Sequence, residues 1–126
     1  MKLLFFAVLF FTFVSCQKEE GLGGTASITG RIWVLDYDSN GNLKGQGEGR
    51  DERVYIIYGN DAVHSDETRA SYNGMYRFDN LQKGNYKIFA YSNCDSCASG
   101  NKAVILEATV SHRGEEVILE DLVLEH

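Results

Sequence analysis

Cations and histidines are the scarce groups in this sequence, and their scarcity excludes two broad classes of function. Twelve Lys and Arg stand against eighteen Asp and Glu, for a formal net charge of −6. The cations are scattered from Arg31 to Arg113 with no cluster. Nucleic-acid binding works by gathering such groups on one face to displace counterions from phosphates, so no nucleic-acid partner is expected. The three histidines, His64, His112 and His126, are dispersed, and neither G-x-S-x-G nor H-E-x-x-H occurs. A serine hydrolase or a zinc hydrolase therefore lacks its parts. The adjacent carboxylates Glu19-Glu20 and Glu115-Glu116 fall in a linker and a turn, where solvated charge is the ordinary state. The expectation is a non-enzymatic protein without a cofactor.

A long apolar run is also missing. Met1 and Lys2 precede Leu3 to Val14, interrupted only by Thr12. As a helix those residues reach ~18 Å, well short of a ~30 Å hydrocarbon core. A charged start followed by a short apolar stretch reads as a signal peptide over residues 1–15. Phe13-Val14-Ser15-Cys16 resembles a bacterial lipobox, in which a small residue precedes the cysteine that is lipidated and becomes the mature N-terminus. The resemblance implies acyl chains on Cys16 and the membrane as a partner through them. Each buried methylene contributes ~0.8 kcal/mol, so two or three chains hold a protein durably. The next residues, Gln17-Lys18-Glu19-Glu20, are similar to the signal that certain Gram-negative bacteria use to send lipoproteins to the outer face of the outer membrane. The implied location is the outer membrane, exposed at the cell surface, with a periplasm-facing orientation as the alternative. Residues 16–24, ending in Gly21-Leu22-Gly23-Gly24, are expected to form a flexible tether.

Residues 25–126 are expected to form one domain, since a chain of this size supports a single modest core. Apolar residues recur at period two: Ile28, Ile32 and Val34; Val54, Ile56 and Tyr58; Tyr76 and Phe78; Tyr86, Ile88 and Ala90; Val104, Leu106, Ala108 and Val110. That is the spacing of half-buried strands. Turn signals separate the runs, among them Asn40-Gly41, Asn73-Gly74, Lys83-Gly84 and Arg113-Gly114. About seven strands at such intervals predict an antiparallel sandwich. Trp33, the tyrosines and the phenylalanines are expected first of all in core and rim packing.

The stretch from Asn73 to Ala90, NGMYRFDNLQKGNYKIFA, resembles the signature of the carboxypeptidase-regulatory-like domain, G-x-Y-x-F-x-x-L-x-x-G-x-Y-x-I-x-A. Ser27 to Ile32 and Val54 to Ile57 are similar to that family's first two strands. The resemblance implies an all-β fold, a seven-stranded antiparallel Greek-key β-sandwich of transthyretin-like type. It implies a structural or interaction module, because fold alone does not set function.

Two segments carry candidate chemistry. Cys94 and Cys97 flank Asp95-Ser96. With Cys16 consumed by lipid and the chain exported, a disulfide across this short loop is the leading reading, with free thiols or a redox or metal site as alternatives. Asp36, Asp38, Asn40 and Gly41 match the opening of a calcium loop but lack its closing Glu, and a polar hairpin competes with that reading. The functional rivals to a structural module are therefore a glycan- or calcium-dependent binding module, with sugars stacked on Tyr37 or Tyr55, and an envelope redox or metal protein using the cysteine pair.

Overall fold

The computed structural model describes residues 20–126. The leader, Cys16 and the first residues of the sorting signal lie outside the described residues. Nine strands and no helix are present among the described residues: β1 (Leu22–Tyr37), β2 (Leu43–Glu48), β3 (Arg53–Tyr58), β4 (Asp66–Arg69), β5 (Met75–Leu81), β6 (Gly84–Asn93), β7 (Asn101–Val110), β8 (Glu116–Ile118) and β9 (Leu122–Glu125).

The alternation seen in the sequence places one side of each strand in a common core. Tyr76, Phe78 and Leu81 of β5 are buried, as are Tyr86, Ile88 and Ala90 of β6. The intervening Met75, Arg77 and Asp79 are exposed. Gly74 makes the turn into β5 at φ +78°, a conformation that a side chain strains.

Two sheets close over that core. β1, sixteen residues long, is the spine of the first. Its N-terminal half pairs antiparallel with β5 (Ile28 opposite Phe78, Gly30 opposite Tyr76) and parallel with β8 (Ile28 opposite Val117). Its C-terminal half pairs antiparallel with β2 (Val34 opposite Gly47) and parallel with β9 (Val34 opposite Leu124). The second sheet has the order β4-β3-β6-β7 and is antiparallel throughout. Ile28, Ile32, Leu122 and Leu124 of the first sheet meet Val54, Ile56, Ile88 and Val110 of the second in one apolar cluster.

Two expectations change. The wholly antiparallel seven-stranded arrangement becomes nine strands with two parallel pairings, because β8 and β9 are three and four residues long and alternation says nothing about strand direction. The Asp36 to Glu52 segment is largely a hairpin, with β2 laid on β1, as the Asn40-Gly41 turn signal suggested. Leu22, Gly23 and Gly24, expected in the tether, belong to β1. The fold holds this entry in place: the Gly21 N–H donates to Tyr86 Oη at 3.0 Å, and Gln82 Nε2 donates to the Leu22 carbonyl at 2.7 Å.

Candidate functional site: an aromatic sheet face

The outward side of β3 and β6 gathers rings. Tyr55 stands opposite Glu67 of β4 on one side and Phe89 of β6 on the other, and Phe89 stands opposite Ile105 of β7. Cross-strand neighbours on one face lie within side-chain contact. The Tyr55 and Phe89 rings stack with centroids 4.9 Å apart and planes 15° from parallel. Tyr91 sets its ring edge-on to both, at 5.6 Å from each centroid. His64, from the β3–β4 connection, tilts against Tyr55 at 4.8 Å.

Each ring has a different role in this cluster. Phe89 is 7% exposed and forms its floor, whereas Tyr91 and Ile105 are each 52% exposed. Tyr55 is engaged by Phe89 and His64, so Tyr91 is the most accessible of the Tyr55, Phe89 and Tyr91 rings. Charged residues border it. Arg53 and Glu67 form an ion pair at 3.7 Å across β3 and β4, and Lys87 stands opposite Glu107 across β6 and β7. A half-exposed ring on a sheet face that also carries hydrogen-bonding groups of both signs is a surface suited to a ligand with an apolar face and a polar rim.

Tyr55 is the glycan-stacking candidate that the sequence offered, and the structure places it in this cluster. Tyr37, the other candidate, is at the far end of β1. It lines a cleft of about 550 Å³ together with Asp38, Ser39, Gly41, Asn93, Asp95, Glu125 and His126. The calcium-loop candidates also lie at this end, where they form a polar turn. The Asp38 carboxylate accepts the N–H groups of Asn40 and Asn42, each at 2.9 Å. Among the described residues no group of three or more His, Cys, Asp or Glu side chains is arranged to hold a metal ion.

Cys94 and Cys97 form a disulfide. It closes the loop between β6 and β7, which pair without interruption from Gly84–Val110 to Asn93–Asn101. Strands flank the pair on both sides, so neither cysteine has the helix N-terminus that lowers a redox-active thiol's pKa. A ring this small contributes about 2 kcal/mol by chain entropy. Reduction is expected to lower the unfolding midpoint in urea by the equivalent of that amount or less and to leave the circular-dichroism spectrum of the folded state unchanged.

Phe89 and Tyr91 escaped the sequence reading because period two only marks them as out of phase with the core. The usable signal was an aromatic in the outward phase on each of two strands, Tyr55 on one and Phe89 and Tyr91 on the other. It becomes legible once β3 is known to pair with β6.

No protein-family model matches the chain, and no curated protein matches it in sequence. Among solved structures it is similar to one described as a "putative carbohydrate binding protein" from Pseudomonas aeruginosa. The two are 16% identical, the match covers 84% of this chain and 91% of the other, and the TM-score is 0.49.

Proposed function

We propose that this chain is an envelope lipoprotein, anchored through acyl chains on Cys16, whose sandwich binds a saccharide on the outer face of the β4-β3-β6-β7 sheet without catalysing a reaction. The observation that carries the reading is the half-exposed Tyr91, buttressed by the stacked Tyr55 and Phe89. A sugar ring presents C–H groups on one face and hydroxyls around its rim. A tyrosine held in position by neighbouring rings offers apolar area at low entropic cost, and Glu67, Arg53, Lys87 and Glu107 supply hydrogen-bonding partners for the hydroxyls. In this reading the domain is of the carboxypeptidase-regulatory-like type, supported by the buried Tyr76, Phe78, Leu81, Tyr86, Ile88 and Ala90.

A glycan array followed by titration calorimetry, with and without calcium, tests the proposal. Binding is expected without calcium, and Tyr91→Ala is expected to weaken it at least ~tenfold, about 1.4 kcal/mol. The fold should be retained, since the side chain is half exposed. Absence of any glycan ligand, or equal affinity in the variant, would refute the binding site. The anchor is tested separately: mass spectrometry of the native protein should find acyl chains on Cys16, and a membrane-impermeant reagent should label intact cells if the module faces outward.

A further inference from the structure

Two cations without an ion-pair partner among the described residues line one cavity. Lys83, in the β5–β6 turn, and Arg113, in the β7–β8 connection, take part in no ion pair among the described residues, as is true also of Lys44, Arg50, Lys87 and Lys102. Both line a cavity of about 290 Å³ with Thr25, Gln82 and the backbone of Gly23 and Gly24. Both side chains are exposed, and in an otherwise acidic protein two cations lining one concave site raise its local attraction for anions.

The backbone at this cavity is specialised as well. Leu22 and Ala26 both lie opposite Leu81, so Gly23, Gly24 and Thr25 form a bulge with no partner of their own on β5. A β-carbon at Gly24 would collide with the Leu81 carbonyl and lie 2.6 Å from the Gln82 nitrogen. Bulges re-aim the backbone next to binding sites, and successive main-chain N–H groups in a turn make concavities that accept anions.

We propose that this cavity is an anion site that takes a phosphate group, with Lys83 and Arg113 supplying charge and the Gly23-Gly24-Thr25 bulge supplying the wall. The source we assign is the headgroup of a membrane lipid, which rests on the reading of Cys16 as the anchor. The seven residue steps from Cys16 to Gly23 span at most ~24 Å, so an acylated Cys16 keeps the cavity close to the bilayer surface.

The test uses the protein as the cell produces it, isotopically labelled and held in uncharged maltoside micelles. Amide shifts are followed on adding inorganic phosphate, a soluble short-chain phosphatidylglycerol, or chloride at matched ionic strength. Saturable shifts at Gly23, Gly24, Thr25 and Lys83 are expected with the first two, tighter for the lipid. The double variant Lys83→Gln/Arg113→Gln should weaken both at least ~tenfold. Saturation by phosphate with no preference for the lipid would overturn the headgroup as source. Shifts equal to those caused by chloride, or unaltered in the double variant, would overturn the site itself. An unmodified N-terminus would defeat the anchor while leaving the phosphate result intact, and Tyr91→Ala is expected to change neither titration.

Discussion

Gly30→Ala is expected to destabilise the domain by about 2–3 kcal/mol, read as a lower urea midpoint with an unchanged slope. Gly30 lies on β1 directly opposite Tyr76 of β5, and the tyrosine ring lies across the space that a side chain would occupy. A β-carbon there would clash with the Tyr76 hydroxyl and lie 2.6 Å from Cζ and 2.9 Å from Cε1. The ring has little room to retreat, because Tyr76 is 2% exposed and packs against Phe78 with centroids 6.3 Å apart. A flexible side chain would yield cheaply, but a buried aromatic forces strain on its neighbours. A cost below ~0.5 kcal/mol would mean that the first sheet is looser than this packing requires.

Tyr86→Phe should cost about 2 kcal/mol, whereas Tyr76→Phe should cost nothing or stabilise slightly. Both side chains are buried, and the substitution removes the same atom from each. The Tyr86 hydroxyl donates to the Gln82 carbonyl at 2.6 Å and accepts the Gly21 N–H at 3.0 Å. Removing it strands the buried Gly21 N–H and takes a donor from the part-buried Gln82 carbonyl, and an unsatisfied buried group carries its full desolvation penalty. The Tyr76 hydroxyl is buried and has no hydrogen-bond partner among the described residues, and burial pushes its pKa above the ordinary tyrosine range. Deleting that hydroxyl removes an unmet polar group from the core. Thermal unfolding of the two variants side by side checks the contrast. Hydrogen exchange should also show faster opening at Gly21 to Gly23 in Tyr86→Phe alone.

These contrasts show which features were legible in the sequence. That Tyr76, Phe78, Tyr86, Ile88 and Ala90 face inward followed from period two, and their burial bears it out. The all-β character and the Cys94–Cys97 disulfide were likewise readable, from alternation and from the spacing of two thiols. Two buried tyrosines with opposite hydrogen-bonding fates were not, because the Tyr86 hydroxyl finds its partners at Gly21 and Gln82 whereas the Tyr76 hydroxyl lies against Gly30 with none among the described residues. The aromatic face was half readable: Tyr55 stood out as a stacking candidate, but Phe89 and Tyr91 joined it only through the pairing of β3 with β6. Gly23 and Gly24 of the bulge read as linker composition. Glycine-rich sequence suits a flexible segment and a sharply bent strand equally well, and contacts from Gln82 and Tyr86 decide between them.

The parallel seams that join β1 to β8 and β9 tie the first strand of the domain to its last two. Such pairings carry a high contact order, because the whole intervening chain must be looped before they form. The spine of the first sheet thus gains its second set of neighbours only when the final strand has arrived. A domain wired in this way is expected to fold in milliseconds to seconds rather than microseconds.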